Sequence, residues 1–197
     1  YNQNTEVWVL FSLRYHSCFR LIASMSQKKL TKKQPFSPVL KNSLIKNAQG
    51  EIIFEMKKIK APAHWSQTAV DIAASKYFRK SIKKENSIFQ LVDRIGLGLK
   101  TALNKSNLFS ERQQVGVHVE IVKSYLLNQS AAFNSPVWFN CGLSEAYKLK
   151  SESEHFAWDD KKNKIVTLAD AYKSPQCSAC FIQSIEDSLT SIFDLVK

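Results

Sequence analysis

Cys177 and Cys180 in "SPQCSACFIQS" stand three apart, a C-x-x-C spacing that three chemistries share. As half of a zinc site they need two further ligands. Cys141 and His155 are available, but their spacing matches no compact zinc module. As a dithiol of thioredoxin type the pair should open a helix, whose N-terminus lowers a thiol pKa. Here the strand-like "FIQ" follows instead. As packing residues both are small and apolar enough for a core. The spacing alone leaves these open.

The elements around the cysteines are legible in outline. "GEIIFEMKKIKAP" predicts a strand ended by Pro62. "HWSQTAVDIAASKYFRK" predicts a helix capped by Ser66, with Ala69, Val70, Ala73 and Tyr77 on one face. Ser87 followed by Gln90 has the spacing of a capping box, with Ile88, Leu91, Val92, Ile95 and Leu99 behind it. Ser110 and Gln113 repeat that spacing before Val115, Val119, Val122 and Leu126, and residues 104–107 form the turn between the two helices. These stripes read as core. In "NQSAAFNSPVWFNCGL" the helical spacing stops, and "VWFN" is expected as a short buried strand or extended segment. Residues 144–173 are polar and irregular, with "WDDKKNK" an exposed turn. "SACFIQS" is expected as the last strand. Ser184 then caps a final helix, with Glu186 and Asp187 in its first turn and Ile185, Leu189, Ile192, Phe193 and Val196 as its stripe.

Charge and composition narrow the class. The chain has 197 residues and a net charge of +11, but residues 1–61 hold +8 of that balance. Residues 1–48 therefore read as a basic, disordered arm, with weak non-specific attraction to polyanions and no specific nucleic-acid site. Met25 opens "MSQKKLTKK" in the manner of a natural start, so residues 1–24 read either as upstream sequence or as a genuine N-terminal segment. Four cysteines imply no disulfide scaffold, and a reducing cytoplasm is the default. No run reaches the roughly 18 apolar residues of a membrane span. "VWVLFSLRYHSCFRLIAS" is interrupted by Arg14, His16 and Arg20.

Several ordered segments then carry a resemblance. "SACFIQSIEDSLTSIFDL" resembles the segment of ribonucleotide reductase large subunits that holds the first member of the active-site cysteine pair. "AAFNSPVWFNCG" is similar to the substrate-phosphate segment that precedes it. "WSQTAVDIAASKYFRK" and "IFQLVDRI" resemble the N-terminal helical region of the class II, adenosylcobalamin-dependent branch. The resemblance covers residues 50–197.

It implies an α/β fold. Residues 49–130 form an N-terminal strand and helical region, and residues 131–197 begin a ten-stranded α/β barrel that is incomplete here. It implies an N-terminal fragment, inactive alone, of a vitamin B12-dependent ribonucleoside-diphosphate reductase. In that chemistry a thiyl radical takes the ribose 3′-hydrogen, the 2′-hydroxyl leaves as water, and a cysteine pair becomes a disulfide that thiol exchange re-reduces. Cys180 matches one member of the pair, its partner lying downstream. Ser135, Ala179 and Cys180 match substrate-binding positions. Asp187, Ser188 and Leu189 match the start of the helix that reads a deoxynucleotide effector. The implied cofactor is adenosylcobalamin. The implied partners are a ribonucleotide substrate, a deoxynucleotide effector, a thioredoxin-like reductant and a second copy in a homodimer. The family motif gives Cys177 no role. A large subunit of the class I, iron-dependent enzyme shares the cysteine and effector segments and stays open as an alternative. So does a non-enzymatic helical binding module with a basic arm.

Overall fold

The computed structural model describes residues 36–80, 85–106, 109, 111–152, 154–159, 162–179 and 184–196. It is mixed helix and sheet, with two separate antiparallel hairpins. The first joins β1 (Pro38–Lys46) to β2 (Ile52–Pro62), in register from Pro38 opposite Pro62 to Lys46 opposite Ile52. Asn47 closes its turn, its Oδ1 accepting from the backbone N–H of Gln49 at 3.0 Å and of Glu51 at 2.9 Å. β2 turns Ile59 and Ala61 into the core.

β1 corrects the expectation of an arm through residue 48. Its residues 38–46 are paired strand. The sequence hid this because Leu40 and Leu44 sit on the exposed face, so apolar alternation pointed at no core. What makes the strand is pairing with β2, a contact that local propensity does not encode.

The helices behave as their caps predict where those caps are local. Ser66 Oγ accepts from the Ala69 N–H at 3.1 Å and starts α1 (Gln67–Ile72), which continues as a π-helical turn over Ala73–Tyr77. Ser87 Oγ accepts from Gln90 at the head of α2 (Ile88–Lys105). The Gln90 side chain reaches back to the N–H of Asn86 at 3.3 Å, one residue before the cap. α3 (Arg112–Leu127) begins after Glu111, and the expected cap Ser110 lies outside the described residues. Leu91, Val92, Ile95 and Leu99 of α2 share one core with Val115, Val119, Val122 and Leu126 of α3. Trp65 ties the hairpin side to this pair by donating its Nε1–H to the Leu127 carbonyl at 2.8 Å.

Downstream the structure departs further from expectation. "VWFN" is helical, inside α4 (Ser135–Asn140). Aromatic and β-branched residues favour strands locally. Pro136, however, sits in the first helical turn, where its missing N–H leaves nothing unpaired. α5 (Leu143–Tyr147) follows. Residues 144–173 are not wholly irregular. β3 (His155–Asp159) and β4 (Lys164–Leu168) form the second hairpin; of the expected turn "WDDKKNK", Lys162 and Asn163 are turn and residues 160–161 lie outside the described residues. Of the expected strand "SACFIQS", Ser178, Ala179 and Ser184 are in no strand, and residues 180–183 lie outside the described residues. The last helix, α6 (Leu189–Val196), starts later than Ser184. Ser188 caps it, its Oγ accepting from the Ser191 N–H at 3.2 Å while Ser191 Oγ accepts from Glu186 at 3.1 Å. Ile185 therefore precedes the helix. The cap is Ser188 and not the expected Ser184, so Glu186 and Asp187 also precede the helix.

Candidate functional site

Arg94 lies on the core face of α2, between Leu91 and Ile95, and is 1% exposed. A charge so placed must be paired and hydrogen-bonded to persist. Its Nε donates to Glu85 Oε1 at 2.8 Å. One terminal nitrogen donates to the Cys141 carbonyl at 2.6 Å and the other to the Trp138 carbonyl at 2.9 Å. Those two carbonyls end α4, so the guanidinium caps the negative pole of that helix. Glu85 is fully buried too. Its Oε2 accepts from the Arg79 N–H at 2.7 Å and its Oε1 from the Tyr147 hydroxyl at 2.5 Å. Burial first, then this bond to Glu85, push the Tyr147 hydroxyl above the ordinary tyrosine range. One ion pair thus fastens the end of α1, α2, α4 and α5 together.

Close backbone approach makes the clamp possible. Gly142 has φ +77, and a Cβ there would come within 1.9 Å of the Arg94 carbonyl oxygen. A Cβ on Gly98 would come within 2.7 Å of Cys141 Sγ and 2.8 Å of the Gly142 nitrogen. Both glycines let the α4–α5 junction lie directly on α2.

On this base stand the residues singled out from sequence. Ser135 is exposed at the start of α4, its Oγ 3.2 Å from the Tyr77 hydroxyl. Tyr77, delivered by the π-helical turn, stacks on Trp138 with centroids 5.8 Å apart and meets Phe139 edge-on at 5.2 Å. The other end of α4 holds the loop of residues 174–179. Asn140 Nδ2 donates to the Gln176 carbonyl at 3.2 Å, and the Cys141 thiol has the Cys177 thiol as a hydrogen-bonding neighbour. Ala179 is exposed at the end of that loop. The structure therefore joins the Ser135 helix to the Ala179 loop. Cys180 lies outside the described residues. Asp187, Ser188 and Leu189 are exposed at the head of α6, and the capping oxygen there belongs to Ser188, not Asp187.

Arg94, Glu85, Tyr77 and Tyr147 were not singled out as functional from the sequence. The available signal was a charge at an apolar phase of the α2 stripe. Among the described residues no three His, Cys, Asp or Glu side chains converge on a point that could hold a metal ion. No helix among them is long and apolar enough to cross a membrane.

A family model described as class II vitamin B12-dependent ribonucleotide reductase matches residues 39–83, which include β2 and α1 and nearly all of β1. The vitamin B12-dependent ribonucleotide reductase of Rhodopirellula baltica is 32% identical over 160 residues, covering 79% of this chain. The chain belongs to the class II ribonucleotide reductase family. The enzymes of that name from Agrobacterium fabrum and Streptomyces coelicolor are 31% and 32% identical, covering 76% and 75% of the chain. These matches favour the class II branch over the iron-dependent alternative and over the non-enzymatic module. The chain spans about 15% of the length of the Rhodopirellula and Agrobacterium reductases. The polar groups of the Arg94–Glu85 cluster are taken up by the protein itself, so that cluster does not fit a cobalamin.

Proposed function

We propose that this chain is the N-terminal region of a class II reductase that converts ribonucleotides to deoxyribonucleotides for DNA synthesis. Two thiols deliver two electrons, the ribose 2′-hydroxyl leaves as water, and the thiols become a disulfide. Cys180 is one of those thiols, with its partner elsewhere in the protein. The Ser135 hydroxyl, steadied by Tyr77, hydrogen-bonds the substrate, and Ala179 and Cys180 line it. Asp187, Ser188 and Leu189 contact a deoxynucleotide effector. Adenosylcobalamin supplies the radical and is held by other parts of the reductase, within a ten-stranded α/β barrel. A thioredoxin-like protein restores the dithiol, and the reductase works as a cytoplasmic homodimer.

The observation that supports this most is the tie between α4 and the loop leading to Cys180, through Asn140 and Gln176. It holds the segment that carries the proposed substrate hydroxyl to the loop that runs up to Ala179, next in sequence to the proposed redox thiol. The test is multiple-turnover nucleotide reduction by the whole reductase with an external dithiol. Cys180→Ser abolishes sustained turnover, because serine cannot form the disulfide, while Cys177→Ser retains it. Ser135→Ala raises KM more than it lowers kcat. A dead Cys177→Ser beside an active Cys180→Ser assigns the redox role to the wrong cysteine, and activity in both removes it.

A further inference from the structure

Cys141 and Cys177 meet by construction. Cys141 ends α4 and is buried, its thiol directed toward the Ile95 carbonyl at 3.9 Å and closed off on one side by Gly98. Cys177 is half-buried and packs against the same core. One residue earlier in each segment, Asn140 binds Gln176. Two neighbouring residues at the end of α4 thus lie beside two neighbouring residues of the loop, Asn140 hydrogen-bonded to Gln176 and Cys141 in the core cluster against which Cys177 packs. Gln176 also folds back on the loop, its Oε1 accepting from the Ser178 N–H at 3.0 Å.

We propose that Cys141 and Cys177 form a reversible disulfide that locks the loop of residues 174–179 onto the end of α4. The site is distinct from Cys180 and does not require Cys180 to be a redox residue. The oxidant is a peroxide. The more accessible Cys177 sulfur attacks one peroxide oxygen, the O–O bond breaks, and a sulfenic acid and one water result. The Cys141 sulfur then attacks the Cys177 sulfur. The S–S bond forms, the S–O bond breaks, and the hydroxyl departs as a second water with the Cys141 proton. Two electrons pass from two thiols to one peroxide. A dithiol reverses the reaction by exchange. The hydrogen bond with Cys177, and then burial, push the Cys141 thiol far above its ordinary range, which leaves the first attack to Cys177.

The test treats the chain with one equivalent of hydrogen peroxide, blocks remaining thiols with iodoacetamide and maps disulfides by non-reducing mass spectrometry. The Cys141–Cys177 link dominates every other pairing by about tenfold, and cleavage by trypsin after Lys173, beside the loop, slows by about tenfold until dithiothreitol is added. Cys180→Ser keeps both effects, and Cys177→Ser loses both. Cys141→Ser should behave as Cys177→Ser, but because it replaces a buried group the surface-nearer Cys177→Ser carries the test if Cys141→Ser fails to fold. A dominant Cys177–Cys180 or Cys141–Cys180 link overturns the proposal. So does equal protection of Cys177→Ser by peroxide. Loss of nucleotide reduction in Cys180→Ser with the Cys141–Cys177 link intact separates this site from the proposed catalytic one.

Discussion

Arg94 and Glu85 meet at 2.8 Å with both side chains wholly out of contact with water. Each partner also holds groups from other elements: Arg94 the carbonyls that end α4, Glu85 the Arg79 N–H and the Tyr147 hydroxyl. Removing either charge strands the other in the core. Arg94→Met and Glu85→Gln should each lower stability by about 3–5 kcal/mol. The double variant should cost less than the sum, because no unpaired charge is left. Urea unfolding of the single and double variants measures this. Additive losses, or single losses under about 1 kcal/mol, would show that the pair is not coupled.

Gly142 and Gly50 separate backbone conformation from packing. Both have positive φ, +77 and +86. A Cβ at Gly50 meets nothing, whereas one at Gly142 collides with the Arg94 carbonyl. Gly50→Ala should cost about 1–2 kcal/mol, the left-handed penalty alone. Gly142→Ala should cost several kcal/mol more, or prevent folding, because backbone cannot step aside as a side chain can. Equal losses at the two sites would mean that the α4–α5 junction is not held against α2.

Tyr147 should make stability fall on the alkaline side. Its hydroxyl is held above the ordinary range, so the folded state keeps a proton that the unfolded chain gives up. The resulting stability is complete below the unfolded value near pH ~10 and is lost as pH rises from there through the higher folded value. Tyr147→Phe should cost about 1 kcal/mol at neutral pH, since Glu85 loses a donor. The gap between the two proteins should narrow from about pH 8 to about pH 11. Urea midpoints at the two pH values decide it, and a constant gap would place the Tyr147 proton outside the folding equilibrium.

What the sequence made legible follows the range of the contacts concerned. Ser66 and the Ser87–Gln90 pair lie within four residues of the groups they cap, and both helix starts could be read. β1 depends on β2, and the helical state of α4 depends on a guanidinium more than forty residues away in the chain. Neither shows in local periodicity, and strand propensity misled at "VWFN". The family strings were legible as strings, yet they said nothing of Arg94 or Glu85, because a buried ion pair looks in sequence like two ordinary surface charges. The meeting of Cys141 and Cys177 was hidden in the same way, with C-x-x-C drawing notice to Cys180 instead.

The last prediction concerns α6. Leu189, Phe193 and Val196 are 73%, 67% and 79% exposed, on a helix rich in apolar residues. Contiguous apolar exposure of this kind marks a face that another surface covers. In the proposed homodimer that surface is a second copy of the reductase. Phe193→Asp should leave the helical signal of the chain unchanged, since the side chain supports little within it. In the whole reductase it should weaken self-association by about tenfold, roughly 1.4 kcal/mol, read by sedimentation over a dilution series. Leu189→Asp should do the same and also blunt the response to a deoxynucleotide effector, because Leu189 adjoins the capping Ser188 at the proposed effector contact. Unchanged association in both variants would remove α6 from the dimer interface. An effector response lost in Leu189→Asp but kept in Phe193→Asp would keep the two roles apart on one helix.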